Sequence, residues 1–393
     1  MPTETAAPGP LSGLRVLEFA GKGPAPFAAM LLADLGANVL CIERIPLPDR
    51  HPDYRPESDV LRRGRPVIGI DLRDAAGKAL VLDLVERADV LLEGYRPGVM
   101  ERLGLGPDRL LERNPRLVYG RATGWGQDGP LAAAAGHDIN YLALSGVLSL
   151  LGRAGGPPTP PANLLGDFGG GGMLLVVGVL AARLSAIATG AGQVVDASIV
   201  EGTNLLSALI HGLRAAGHWS GRRGENLLDT GAPYYDVYAT ADDEWMAVGA
   251  VEPKFYRALV ETLGLAADEI FADQADRSRW PAMRQRLAAV FRSRTRAEWV
   301  RTFEGVDACV TPVLSVDEAA EHPHNTARGL FVTDRGVRQP APAPRFSRTP
   351  AKVQRLDAAR AAHPFASWGV PVERSAQLTQ AGVIIPVQTL TTG

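Results

Sequence analysis

From residue 14 onward the sequence alternates short apolar runs with longer amphipathic ones, and this alternation restricts the fold more than any other feature. The run 14–19 has the length and composition of a strand. It is followed by a Gly/Pro turn, a helical stretch over about 26–35 and a second strand pattern over 39–43, which together read as a βαβ unit. The pattern continues with strands predicted over 67–72, 90–93 and 116–123 and a helix over 75–87. Strands joined through helices pair in parallel, because the connection must cross one face of the sheet. The predicted fold class is therefore α/β with a doubly wound, Rossmann-like large domain.

Two glycine-rich breaks follow, at 152–161 and 169–172, with apolar stretches of helical length between and after them. Residues 190–198 read as a turn and a short strand, and 199–219 as one long helix. An Arg/Gly-rich segment at 220–224 marks a boundary. Beyond it, strands over 234–238, 245–251 and 309–313 and helices from 253–263 to about 303 describe a smaller α+β domain. The expected division is 1–224, 225–335 and a crossing segment with tail, 336–393, whose proline-rich QPAPAPRFSRTP suits extended chain. No pattern is legible after 351. At 393 residues two domains are expected, since single cores stop growing near about 250–300 residues.

The formal net charge of −2 excludes a general nucleic-acid footprint, so any anionic ligand must meet a local basic patch. Two cysteines, Cys41 and Cys309, fit a reducing cytosol and neither a disulfide scaffold nor a four-cysteine zinc site. The N-terminal MPTETAAPGPLSG lacks the regions of a signal peptide, and no 18-residue run reads as apolar enough to cross a membrane. A cytoplasmic protein with no nucleic-acid or membrane partner is expected. The seven histidines show no metal-ligand spacing, so no metal is expected.

Four motifs carry candidate chemistry. The turn Gly21-Lys22-Gly23-Pro24-Ala25-Pro26 imitates a dinucleotide fingerprint, but proline stands where the third glycine belongs, and the glycines are read as shaping the turn. Arginines gather near the N-terminal strand ends: Arg44, Arg62, Arg63, Arg65, Arg73 and Arg96. Ligands of open α/β sheets bind beside such ends, and the planar guanidinium grips phosphate through two parallel hydrogen bonds; a solvated charged rim has the same spacing. In Gly136-His137-Asp138-Ile139-Asn140-Tyr141 a histidine stands beside an acid at the mouth of an apolar helix, where imidazole can work as acid or base near neutral pH, although a single histidine is more often structural. Asp167 comes just before four glycines, 169–172. An aspartate there is ordinarily a helix N-cap, yet four glycines exceed what a cap needs and would let backbone N–H groups approach a ligand oxygen such as an enolate's.

The stretches LSGLRVLEFAG, EGYRPGVMERLGLGP, GHDINYLALSGVLS, NLLGDFGGGG, GQVVDASIVEGT, GAPYYDVY, MAVGAVEP and DACVTPVL, in this order, resemble family III coenzyme A transferases over residues 11–347, and within them the α-methylacyl-CoA racemase branch. Pro66, where a polar or basic residue is usual, and the tail from 351 depart from the family.

The resemblance implies an enzyme that removes and returns the proton beside the thioester of a 2-methylacyl-CoA. His137 and Asp167 are then the two acid/bases, with His137 serving the (S) and Asp167 the (R) substrate; Glu252 orients the histidine, and Asp138 joins the catalytic group. Arg44, Arg63, Arg65, the strand end Ile70, Asp71, Leu72 and Arg73, and Gly94, Tyr95 and Arg96 would bind CoA. Gly136, Ile139, Asn140, Tyr141, Gly169 and Gly170 would surround the thioester. No cofactor is implied, because CoA is part of the substrate. The implied partner is a second copy of the chain in an interlocked homodimer, with Glu252 reaching His137 across the interface. The transferase branch uses the same aspartate as a nucleophile and lacks the histidine. His137 therefore favours inversion, which needs a base on each face of a planar enolate; a transferase acting through Asp167, or a non-catalytic acyl-CoA binder, are the alternatives.

Overall fold

The computed structural model describes residues 9–45, 55, 58–356 and 362–386. The chain forms two compact units, the first made of Met1–Ser145, Ala162–Leu206 and Thr326–Gly393. Its frame is six parallel strands, β1 (Arg15–Phe19), β2 (Asn38–Arg44), β3 (Val67–Ile70), β4 (Val90–Glu93), β5 (Val118–Thr123) and β6 (Gln193–Ser198). The helices of this unit include α1 (Pro24–Asp34), α2 (Ala75–Val85), α3 (Val99–Arg102), α4 (Pro107–Arg113), α5 (Asp138–Leu144), α6 (Leu174–Thr189) and α7 (Ile199–Leu206). Alternate strand residues feed two cores, as a sheet covered on both faces requires. Leu17, Leu40 and Leu91 pack with Leu80 of α2 and Leu110 of α4, whereas Val16, Val39 and Val90 pack with Leu32 of α1 and Val179 of α6.

The strand order is β3-β2-β1-β4-β5-β6, so the chain leaves β1 in one direction and β4 in the other. The large parallel sheet matches the expected class. A seventh strand, Ile384–Pro386, adds antiparallel to β3 with Ile384 opposite Ile70, after a helix over Val372–Gln380. This lies in the tail where the sequence showed no pattern; three residues are too few for a periodicity to register.

Three expectations need correction. The run Leu164–Thr189 is helical for 26 residues and contains an 18-residue window with a mean hydropathy of 1.9, so one stretch does pass the length and composition test for crossing a membrane. A core helix passes the same test, and Leu175, Val179, Ala182 and Ala186 of this one are buried in the sheet-facing core. The long helix expected over 199–219 is broken at Ser207 into α7 and α8 (Ala208–Ala215). The units also divide at other points than 224 and 335: the second comprises Gly146–Pro161 and Ser207–Asn325. Local bonds explain the shift. Arg223 Nη1 donates to Ser149 O at 3.0 Å and Arg277 Nη2 to His218 O at 3.3 Å, while in the first unit Arg63 Nη1 donates to Gln339 Oε1 and Pro340 O at 2.8 Å.

The second unit is α+β. Its antiparallel strands β7 (Tyr235–Ala239), β8 (Trp245–Gly249) and β9 (Val310–Pro312) accompany α9 (Pro253–Thr262), α10 (Trp280–Phe291) and α11 (Arg296–Thr302). Its core is aromatic, with Tyr238 stacked on Phe291 at 5.2 Å.

The glycine run explains the packing around α7. Residues Leu164–Met173 wind as wide π turns, with Phe168 N–H donating to Asn163 O at 3.3 Å. A side chain on Gly202 of α7 would place its Cβ 1.9 Å from Gly170 O, and one on Gly170 would lie 2.6 Å from Thr203 N. Backbone meets backbone here, so neither side can give way. Gly202→Ala is expected to cost about 3 kcal/mol, read as a lower urea midpoint at unchanged m-value. Gly212→Ala, in α8 with nothing within 4 Å of the added Cβ, should be neutral or stabilising by about 0.5–1 kcal/mol. Equal stability of the two variants would contradict the packing account.

Candidate active site

Because β1 and β4 are neighbours whose chains part in opposite directions, a crevice opens beyond their C-terminal ends, where open α/β sheets bind ligands. A cavity of about 380 Å³ lies there. Lys22, Gly23 and Pro24 line it from the turn after β1, and Gly94, Tyr95, Arg96 and Pro97 from the loop after β4. The end of β5 contributes Thr123, Gly124 and Trp125, and Gly136, His137, Tyr141 and Asp167 complete the chemistry-bearing wall.

His137 is the N-cap of α5, held extended at φ −131 and ψ 173. Asn140 Oδ1 accepts the His137 N–H at 3.0 Å, which fixes the backbone carrying the imidazole. Tyr141 donates its hydroxyl to Gly136 O at 2.6 Å and sets its ring edge-on to Trp125 at 4.7 Å. Any side chain on Gly124 would fall 2.0 Å from the Tyr141 ring, and on Gly136 2.8 Å from it, so both glycines are needed for this tyrosine to sit where it does. Asn140 and Tyr141 thus place the histidine; Ile139 is exposed and lies outside the cavity lining.

Asp167 sits within the π turns, not at a helix N-cap, and a wide turn lets its half-buried carboxyl reach the cavity. Asp138 Oδ1 accepts the Asp167 N–H at 2.7 Å, and Gly166 lacks a side chain where a Cβ would lie 2.2 Å from the same oxygen. Gly23, at φ +70, brings bare backbone against the Asp167 carboxyl, where a Cβ would lie 3.3 Å from Oδ2. Burial pushes the Asp167 carboxyl above its ordinary range; Asn163, donating from Nδ2 at 3.4 Å, opposes this, nearby Asp138 adds to it, and His137 opposes it. A carboxyl raised in this way can both hold and release a proton closer to neutral pH.

A family model described as CoA-transferase family III matches residues 11–360. The chain belongs to CoA-transferase family III. It is 48% identical to the alpha-methylacyl-CoA racemase of Mus musculus over 342 residues, and 48% identical to that of Homo sapiens over 343; each match covers 87% of this chain and 87% of the relative. The crystal structure of Rv3272 from M. tuberculosis superposes with a TM-score of 0.72 at 27% identity, covering 88% of this chain and 96% of that one.

Within this family III chain several expected site residues have other work. Arg63 is buried and holds Asp34 at 2.5 Å, and Arg65 is buried and holds Glu18 at 2.5 Å and Pro26 O at 3.1 Å. Both guanidinium groups are occupied inside the scaffold, which corrects their placement in a CoA site. Ile70 and Leu72 point into the core. Arg44, Asp71 and Arg73 lie at the ends of β2 and β3, outside the cavity lining, with Arg73 pairing Asp71 at 3.1 Å on the surface. Gly169 and Gly170 do not line the cavity: a Cβ on the first would meet Leu164 O and Leu206, and on the second α7, so the absence of side chains here admits close packing. Asp138, expected among the catalytic groups, is absent from the cavity wall, and its carboxylate receives the N–H groups of Asp167 and Gly166. These bonds tie the Asp167 backbone to the first residue of α5. Glu252 stands in the second unit as the exposed N-cap of α9 beside Pro253, its side chain accepting no capping bond from the helix.

The sequence reading missed Lys22, Gly23, Asn163 and Trp125. Lys22 is one of only four lysines in the chain, and Gly23 belongs to a turn that had been assigned to shape alone. Asn163 and Trp125 carry no local signal. The carboxylate environment yields a signed test. Asn163→Ala removes a donor to ionised Asp167 and should raise its pKa further, whereas Asp138→Asn removes a neighbouring negative charge and should lower it. Carbon-13 NMR titration of labelled aspartate should show the two shifts in opposite directions; shifts of the same sign would refute the assigned causes.

Proposed function

We propose that the chain is an isomerase, a racemase that inverts the α-carbon of 2-methylacyl-CoA thioesters by proton transfer between His137 and Asp167. The observation that carries this reading is that both residues line one cavity, in a chain 48% identical to curated alpha-methylacyl-CoA racemases. The thioester carbonyl activates the α-proton. One unprotonated base, neutral imidazole or carboxylate, takes it, leaving a planar enolate, and the other group, protonated, returns a proton to the opposite face. His137 serves the (S) and Asp167 the (R) substrate, and each turnover exchanges the protonation states of the pair. Positioned acid/base groups of this kind contribute about 10²–10⁴-fold each. Coenzyme A is part of the substrate, and the scheme uses no other cofactor and no metal.

Arg96 and Tyr95 hold the CoA end of the cavity, with Arg44, Asp71 and Arg73 forming an outer rim for the nucleotide. The functional molecule is an interlocked homodimer in which the partner's Glu252 orients His137. Exposed Met173, Val177, Leu184 and Ile187 recur at helical spacing along one face, an apolar stripe suited to a second copy of the chain. A cytoplasmic location without nucleic-acid or membrane partners completes the reading, supported by a net charge of −2 and by two free cysteines.

Incubating one enantiomer of a 2-methylacyl-CoA in deuterated water should give racemic product carrying α-deuterium. CoA exchange that needs an added carboxylate acceptor would make the chain a transferase, and neither outcome would leave a binder. His137→Ala and Asp167→Ala should each stay folded and lose racemisation by at least about 10³-fold; a folded variant at the parental rate would break the two-base assignment. Arg96→Ala should raise KM for acyl-CoA more than it lowers kcat, because a phosphate contact remote from the α-carbon gives uniform binding. An unchanged KM would remove Arg96 from the nucleotide site.

A further inference from the structure

The loop 94–98 delivers Gly94, Tyr95 and Arg96 to the cavity, and one side chain secures both of its ends. Arg121 lies near the end of β5 with its side chain 7% exposed. Before the loop, Glu93 closes β4 with its side chain 1% exposed; its Oε1 accepts from Arg121 Nε at 2.8 Å and its Oε2 accepts the Tyr95 N–H at 2.7 Å. After the loop, Glu101 of α3 accepts Arg121 Nη1 at 2.8 Å on Oε1 and Nη2 at 3.3 Å on Oε2. All three guanidinium nitrogens are used, in directions that the rigid plane of the group imposes. Neighbouring glycines make the arrangement possible. Gly98, at φ +80, turns the loop into α3, and a Cβ on Gly106 would fall 2.8 Å from Glu101 Cγ. None of Glu93, Glu101 and Arg121 lines the cavity.

We infer that Arg121 is a positioning residue for acyl-CoA binding: with Glu93 and Glu101 it sets the conformation in which the loop presents Tyr95 and Arg96, and it touches no substrate atom. The inference rests on reading the cavity as an acyl-CoA site. Lysine is the informative replacement, since a single ammonium keeps the charge but cannot bridge Glu93 and both Glu101 oxygens in one plane. In a mechanism where the bases sit on other segments, a displaced loop weakens binding and spares the chemical step.

The test measures the Kd for free CoA by titration calorimetry, and KM and kcat for racemisation, in the full-length parent and in Arg121→Lys, well below the Tm of each. Arg121→Lys should raise Kd and KM by about tenfold with kcat within about twofold. Glu101→Gln, at a side chain 43% exposed and therefore tolerant of change, should fold like the parent and raise Kd by about threefold. Should Arg121→Lys fail to fold, Glu101→Gln alone decides. A folded Arg121→Lys with a lowered Tm and parental Kd would show a merely structural network and overturn the inference, as would a fall in kcat at unchanged Kd. A parent that binds no CoA would overturn the acyl-CoA reading itself, and this inference with it, whereas a parent that binds CoA alongside indistinguishable variants overturns only the positioning role.

Discussion

A parallel sheet buried on both faces allows its chain to return only by crossing over a face, and this constraint organises the first unit. The crossovers from β1 and β4 depart to opposite sides, so the loops at their C-terminal ends separate and leave a crevice that neither strand can fill. The proposed catalytic pair reaches that crevice from two further segments, His137 at the start of α5 and Asp167 in the π turns before α6. The segments are linked by the hydrogen bonds from the Asp167 and Gly166 N–H groups to Asp138. One residue on from the histidine, Asp138 thereby joins the backbone beside His137 to that of Asp167.

Buried charge supports this geometry from below. Removing one partner of a buried ion pair typically costs about 3–5 kcal/mol, because the other charge is left without compensation. The Glu18–Arg65 and Asp34–Arg63 pairs place that constraint under α1: Arg65 also donates to Pro26 O, in the first turn of the helix that follows Gly23, and Gly23 is the backbone pressed against the Asp167 carboxyl. Arginines that resemble phosphate ligands by position thus act on the site through the scaffold.

The same arginines show where sequence reading ends. The strands from β1 to β5 were legible because each is a compact apolar run between turn residues, and His137 and Asp167 were legible through the motifs that hold them. Whether an arginine at a strand end faces solvent, ligand or a buried carboxylate depends on partners 29 or 47 residues away, and no local pattern encodes that. The glycines 169–172 were equally ambiguous. Permissive backbone can admit a ligand oxygen or another helix, and the approach of α7, with Gly202 against Gly170, is a use that only the three-dimensional structure displays. The closing strand of the sheet escaped notice because three residues carry too little periodicity.

The central claim is that two different residues attend the two faces of one α-carbon, and it is tested most directly by exchange without inversion. Each pure enantiomer of a 2-methylacyl-CoA is incubated in deuterated water with Asp167→Ala and, separately, with His137→Ala, and α-deuterium is followed together with configuration. The account predicts that each variant exchanges the α-proton of only one enantiomer, with its configuration retained, and that the two variants choose opposite enantiomers. Exchange of both enantiomers by either variant, or exchange accompanied by racemisation, would contradict it.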